Sequence, residues 1–208
     1  MMFGIGGIDM NWNWGILELS VIAVAYLVGS IPFGLLLTKA AGKGDIRKIG
    51  SGNIGATNVL RTGSKKLALC TMLLDLIKGF AVVYFAKHLN LFFEASIAVM
   101  LGHLYPVWLK FKGGKGVATY GGVLFALSWP LGLQAIIAWA AFLALFHYSS
   151  LAALLTSLLI PFTVWLWHYP DILWVSIFLT ILIWARHIDN LKRLIKGTEP
   201  QVGSKKKK

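Results

Sequence analysis

Residues Lys39 to Lys66 read KAAGKGDIRKIGSGNIGATNVLRTGSKK and stand between two long apolar runs. Seven cations, Lys39, Lys43, Arg47, Lys48, Arg61, Lys65 and Lys66, face a single acid, Asp45. At the centre lies Gly50-Ser51-Gly52-Asn53-Ile54-Gly55-Ala56-Thr57-Asn58. Closely spaced glycines let the backbone turn its N–H groups toward a ligand, and Ser, Thr and Asn add short donors. A phosphate group suits such a surface. A basic loop that only sets membrane topology needs charge and nothing else, and the alternation of glycine and amide asks for more.

The flanking runs decide the class. The chain of 208 residues is 57% hydrophobic and 13% charged, with a mean hydropathy of +0.72. Several runs have spanning length, which predicts an all-α polytopic integral membrane bundle. A net charge of +12 would suggest nucleic acid in a soluble chain. Here the basic residues gather in membrane-proximal loops without interleaved aromatics, and no nucleic-acid partner is expected. Cys70 is the one cysteine, so no disulfide forms within the chain. Five scattered His and that Cys give no ligand cluster, and neither metal nor cofactor is expected. The first apolar run follows Asp9 and Glu18 rather than a basic segment, unlike a cleavable signal peptide.

Working outward, the first span covers about Leu17 to Thr38 and contains Gly29-Ser30-Ile31-Pro32-Phe33-Gly34. Pro32 removes a backbone hydrogen bond, and such a break is tolerated in lipid only against protein or water. A packing kink and a site-lining break both fit. The second span, about Leu67 to Lys87, carries Asp75 and Lys78, three residues apart and able to pair on one face. Charges at this depth face the protein interior or a polar cavity, so a structural and a catalytic pair both remain open.

The third span ends with His103, Tyr105, Pro106 and Trp108, and leads into Lys110-Phe111-Lys112-Gly113-Gly114-Lys115-Gly116-Val117-Ala118-Thr119. This second basic glycine loop lacks the Walker spacing and does not predict a nucleotide site. Its backbone N–H groups and Lys115 suit a phosphate, because a helix N-terminus follows. The run Val117 to Phe146 is broken by Ser128-Trp129-Pro130, and by length alone is one tilted helix or two short ones.

Charge bias decides between them. Basic residues mark Lys39 to Lys66, Lys110 to Lys115 and the tail after Arg186, whereas His88 to Glu94 and His168 to Asp171 contain none. If the first loop and the tail are both cytoplasmic, the span count is odd. The expectation is seven spans, with an external N-terminus and a cytoplasmic C-terminus. His147 to Ser150 then turns on the cytoplasmic side, before spans over about Leu151 to Trp167 and Ile172 to Arg186. In the tail, His187 and Asn190 share a face if the last helix continues. Histidine is the natural proton acceptor near neutrality. Residues 1–200 are expected to form one transmembrane domain, and 201–208, ending in four lysines, a basic solvated tail.

These segments resemble the bacterial membrane acyl-phosphate:glycerol-3-phosphate acyltransferases. Gly50 to Asn58 with Arg61 is similar to the first motif of that family. Gly102-His103 with Phe111 to Thr119 is similar to the second. His187, Asn190 and Arg193 through Gly197 to Glu199 are similar to the third, and Gly29 to Gly34 also fits. The resemblance implies transfer of a fatty acyl group from acyl phosphate to the 1-hydroxyl of glycerol 3-phosphate, giving lysophosphatidate and inorganic phosphate. The partners it implies are acyl phosphate, glycerol 3-phosphate and membrane lipid, with no obligate protein partner, at the cytoplasmic membrane of a bacterium. The His-x4-Asp pair of the acyl-CoA acyltransferases is absent.

By the same resemblance Ser51, Arg61, His187 and Asn190 are essential. Physical roles can be cast beside it. Arg61 and Lys115 serve as phosphate clamps, Ser51 as a donor to phosphate, and Asn190 as a group orienting substrate or supporting the oxyanion. His187 is the best protein base, with a substrate phosphate as the alternative. Substrate contacts are also expected from Asn53, Thr57, Asn58, Lys110, Lys112, Gly113, Gly114, Gly116 and Thr119. Structural roles are expected for Ser30, Pro32, Gly34, Asp75, Lys78, His103 and Glu199. The other class of reading is a transporter or channel for an organic phosphate, which a Pro-broken helix and the Asp75/Lys78 pair would suit.

Overall fold

The computed structural model describes residues 15–202. Trp12 and Trp14, which precede the first apolar run, and the lysines 205–208 lie outside the described residues. In chain order the helices are α1 (Ile16–Gly29), α2 (Phe33–Ala40), α3 (Ala56–Val59), α4 (Lys65–Lys87) and α5 (Phe92–Leu104). There follow α6 (Val117–Leu127), α7 (Trp129–Phe146), α8 (Ser149–Leu166), α9 (Pro170–Arg186) and α10 (Ile188–Ile195). No strand occurs among the described residues.

Five segments are long and apolar enough to cross a membrane: Ile16–Ala40, Lys65–Lys87, Phe92–Leu109, Trp129–Phe146 and Ser149–Leu166. Helix α9 with α10 makes a sixth if that bent pair is one span, and α6 is a shorter apolar helix. Phe85 and Leu145 are 69% and 70% exposed on the outside of the bundle. Such apolar side chains suit lipid rather than water, and the chain is an all-helical membrane protein.

The expected first span is two helices. Ile31 N–H reaches only Val28 O at 3.2 Å, and Pro32 has no N–H to give. The Ile31 carbonyl left at the break accepts from Phe33 N–H and, at 2.9 Å, from Lys78 Nζ. Lys78 in turn pairs with Asp75 at 2.7 Å, both nearly fully buried. The pair thus serves the break: the intramembrane cation caps a freed carbonyl, and its carboxylate keeps that cation neutralised.

Helices α6 and α7 separate where the Ser128-Trp129-Pro130 signal places a break. Ser128 is extended (φ −158°) and Pro130 occupies the first turn of α7, where its missing N–H does no harm. Close crossings hold the bundle. A Cβ added at Gly79 or Gly122 would collide with the Thr119 or Leu76 carbonyl, so α4 and α6 touch backbone to backbone. This is the small-residue packing that membrane helices use in place of a hydrophobic drive. Beneath it, Val83, Met100, Leu104, Leu124, Ile160 and Leu179 form the buried core.

The first loop is itself folded. Leu35, Ile46, Ile54, Val59 and Ala68 form a small apolar cluster beneath it. Gly34 lies so close under the loop that a Cβ there would meet Ile54 O. Ser30 is buried, with its hydroxyl donating to Tyr26 O at 2.8 Å.

Candidate active site

A cavity of about 730 Å³ opens between the first loop, the α6 N-terminus, α4, α7, α8 and the chain after α9. Loops and helix junctions bring Ser51, Arg61, Lys115, His187 and Glu199 to it, and α10 brings Asn190. The helices bring an apolar wing that includes Met72, Leu76, Ile136, Trp139 and Ala140. A smaller cavity of about 180 Å³ shares Met72 and Trp139 with that wing and adds Leu69 and Leu143. A cavity lined by cations as well as apolar side chains fits an amphiphile with an anionic head.

In the first loop, Asn58 does the organising. It is buried, and its Nδ2 donates to the carbonyls of Ile46 (3.1 Å), Ile49 (3.0 Å) and Asn53 (2.8 Å). Its Oδ1 accepts from Ser51 N–H at 3.0 Å. Expected as a substrate contact, Asn58 instead lines the cavity with its polar atoms already engaged in the loop. Gly50 has φ +57°, and a Cβ there would lie 2.6 Å from Arg61 Cδ, so the Arg61 side chain crosses it. Thr57 is tied to Ser149 of α8 by a 3.3 Å hydroxyl pair. Ser51, Asn53 and Arg61 line the cavity.

The second loop differs from the expectation. Gly113 N–H donates to Leu104 O and Gly114 N–H to His103 O, at 3.1 and 3.0 Å. Neither amide is left for a phosphate, and neither glycine lines the cavity. The small residue is needed for packing: a Cβ on Gly114 would collide with His103 Nε2, and one on Gly113 with His103 O. His103 Nδ1 meets Thr119 Oγ1 at 3.2 Å and stands 3.6 Å from Asp75 Oδ1. Thr119 is therefore buried against His103 rather than in the cavity, whereas Asp75 and His103, expected as structural, both line it. Lys110 and Lys112 are exposed and lie outside the cavity, because left-handed backbone at Lys110 and Phe111 (φ 52° and 61°) turns the loop outward there.

Lys115, Gly116, Val117 and Ala118 do enter the cavity. The first amides of α6 have no carbonyl to serve within their own helix, so an anion beside Lys115 would meet them. Burial pushes the Lys115 ammonium down to about 8; Glu199 opposes that fall, and Arg193, Arg186 and Arg61 add to it.

The last helix, whose continuation would have put His187 and Asn190 on one face, is bent by 61° at His187. His187 N–H turns to Trp184 O, and the ring nitrogen Nδ1 takes Ile183 O at 2.8 Å in its place. A carbonyl only accepts, so Nδ1 carries the hydrogen and Nε2 is left as the lone-pair nitrogen of the neutral ring. Burial lowers the imidazole to about 4, and the nearby Lys115 cation pushes the same way. The bend brings Asn190 into the cavity with His187 although the helix does not run on straight.

Glu199 ties this side together. Its Oε1 accepts from Ser150 Oγ and Asn190 Nδ2, both at 2.6 Å, and its Oε2 from Arg193 Nε at 2.7 Å. Burial alone would raise the carboxyl; the three donors outweigh it and hold the group below its ordinary value. Packing continues to Val202, whose N–H donates to His147 O at 2.9 Å, two residues past the expected domain boundary. Sequence reasoning missed Ser150 and Arg186. Arg186 donates to the Gly113 and Gly114 carbonyls, both at 3.2 Å.

The family model described as glycerol-3-phosphate acyltransferase matches residues 19–197. The glycerol-3-phosphate acyltransferase of Mesorhizobium japonicum is 52% identical over 186 residues, 88% of this chain and 95% of that one. That of Dinoroseobacter shibae is 51% identical over 196 residues, 93% and 96% of the two chains. Among solved structures, the crystal structure of PlsY (YgiH), an integral membrane glycerol 3-phosphate acyltransferase, in its glycerol 3-phosphate form superposes with a TM-score of 0.86 at 37% identity. The match covers 90% of this chain and 96% of that one. Its lysophosphatidic acid form gives 0.83 at the same identity, over 89% and 95%. With three ordered motifs gathered at one cavity and relatives matched over nearly their whole length, the chain belongs to the glycerol-3-phosphate acyltransferase family.

Proposed function

We propose that the protein transfers a fatty acyl group from acyl phosphate to the sn-1 hydroxyl of glycerol 3-phosphate, releasing lysophosphatidate and inorganic phosphate, at the start of phospholipid synthesis. The observation that carries this reading is one cavity lined both by Arg61, Lys115 and Arg193 and by the apolar Met72, Leu76, Ile136 and Trp139. Both substrates bear phosphate, and one bears a long apolar chain. The related PlsY structures are described as glycerol 3-phosphate and lysophosphatidic acid forms.

In the reaction the hydroxyl oxygen attacks the acyl carbonyl carbon, the bond to the phosphate oxygen breaks, and phosphate leaves with its electron pair. Acyl phosphate is already activated, so the protein's work is orientation, charge stabilisation and removal of one proton. Arg61 and Lys115 hold phosphate, and Ser51 donates to it. Asn190, held through Nδ2 by Glu199, orients the hydroxyl or supports the carbonyl oxygen. The proton goes to His187 Nε2 or to a substrate phosphate.

Substitution of His187 separates the two acceptors, because the dianion of a clamped substrate phosphate is lost at about pH 6 whichever group takes the proton. His187 takes up its own proton only as the pH falls toward about 4, so a histidine base loses activity there. His187→Gln, which cannot act as a base, should lose at least about a hundredfold in kcat if histidine is the base. Substantial activity in that variant rules out an obligatory histidine base.

The charge asymmetry supports seven spans with α6 as a short one, an external N-terminus, and a site facing the cytoplasm of a bacterial inner membrane. Cysteine labelling of residues 38–66 and 188–200 from opposite faces would overturn that orientation. The donor is tested with purified, kinase-free protein. Acyl phosphate and glycerol 3-phosphate should give lysophosphatidate, and acyl-CoA should not; equal turnover with acyl-CoA refutes the donor assignment.

A further inference from the structure

Arg186 closes α9 one residue before the bend and lies outside the three motifs. Its Nε donates to Gly114 O and its Nη2 to Gly113 O, each at 3.2 Å. Its guanidinium carbon stands 5.1 Å from the centre of the Tyr105 ring, and the Tyr105 carbonyl accepts from Tyr26 OH at 2.7 Å. The fork therefore fixes two successive peptide planes. In the first, Gly113 C=O goes to Arg186 and Gly114 N–H to His103 O at 3.0 Å. In the second, Gly114 C=O goes to Arg186. A planar trans peptide then directs the Lys115 N–H the opposite way.

Lys115 is the residue at which this loop enters the cavity, and His187, next to Arg186 in the chain, enters the same cavity from the bend. One side chain thus locks the backbone before the cavity-lining Lys115 to the end of α9, next to the bend at His187 that leads to Asn190. We propose that Arg186 is a positioning residue for glycerol 3-phosphate capture, acting through the Gly113-Gly114 backbone on Lys115. This rests on the reading of Lys115 as a phosphate clamp.

The test uses full-length purified protein with the variants Arg186→Lys, Arg186→Gln, Lys115→Gln and the double variants. Lysine keeps the charge but cannot make both contacts of the fork. Both Arg186 variants should raise KM for glycerol 3-phosphate about tenfold, with KM for acyl phosphate changed by less than about twofold. Combined with Lys115→Gln, each should be no worse than Lys115→Gln alone, because the two residues act as one unit. A residue that only holds the fold would lower the amount of folded enzyme and leave the KM of the remainder unchanged.

Unchanged KM in the Arg186 variants overturns the inference. So do additive losses in the double variants, and in that case the clamp reading of Lys115 survives. If Lys115→Gln itself leaves KM for glycerol 3-phosphate unchanged, the clamp reading falls and the inference falls with it. Should Arg186→Gln fail to fold, the cycle built on Arg186→Lys gives the same comparison.

Discussion

The two glycine loops look alike in sequence and are built for different reasons. In the first, a buried asparagine gathers three carbonyls and one amide, and the glycines supply turns over which Arg61 can lie. In the second, Gly113 and Gly114 are small because His103 fills the space beside them, and their amides belong to α5. The first loop is thus organised around the side chains it presents. The second is a packed strut that delivers one lysine and the start of a helix. Equal glycine content does not mean equal contact with phosphate.

The largest expected effect sharpens the first half of that contrast. Arg61 is exposed apart from the cavity it lines, so Arg61→Ala should leave thermal stability within about 0.5 kcal/mol of the parent. It should nevertheless cut kcat/KM by about a hundredfold through loss of charge-assisted contacts. Parallel loss of stability and activity would make Arg61 part of the loop's scaffold instead. The second half breaks on Gly114→Ala. Since a methyl there meets the His103 ring, overpacking should destabilise the protein by about 3 kcal/mol, seen as a fall in Tm and in folded yield. A stable variant with only a raised KM for glycerol 3-phosphate would return the loop's glycines to direct phosphate contact.

A smaller effect follows from Lys115, whose ammonium is lowered to about 8. If Lys115 is the proposed phosphate clamp, it is the charged form that binds, and that form is present below that pH. KM for glycerol 3-phosphate should therefore rise about tenfold by one pH unit above it. Lys115→Arg should flatten this rise, because a guanidinium stays charged; a rise of the same size in that variant assigns the titration to another group. Smallest of all is the joint change of Lys110 and Lys112 to Gln, which lie outside the cavity. It should alter kcat/KM by less than about twofold at moderate ionic strength, and a tenfold loss would bring these lysines back to the substrate.

Much of this was legible in the chain. Run lengths and charge bias identify a helical membrane protein, and Pro32 and Pro130 announce their breaks through a missing donor. The bend at His187 leaves no such mark, since it arises when a side chain replaces its own backbone N–H on Ile183 O. Lys110 and Lys112 count as charge in the sequence, but their direction is set by two left-handed residues that are not glycine. Arg186 is hidden for a related reason. Its partners are carbonyl oxygens, which every residue possesses, so no pairing of residue types betrays the contact. Glu199 was placed with the third motif by resemblance, and only the fold brings Ser150 of α8 to the same carboxylate.

That carboxylate also means that one side of the cavity depends on a residue near the C-terminal end of the described chain. Glu199 follows the ten α-helices of the described residues, yet it holds Ser150, Asn190 and Arg193 around a cavity whose first contributors are Gly50 and Ser51. A chain ending before Glu199 would lack the carboxylate that gathers Ser150, Asn190 and Arg193 on one side of the cavity.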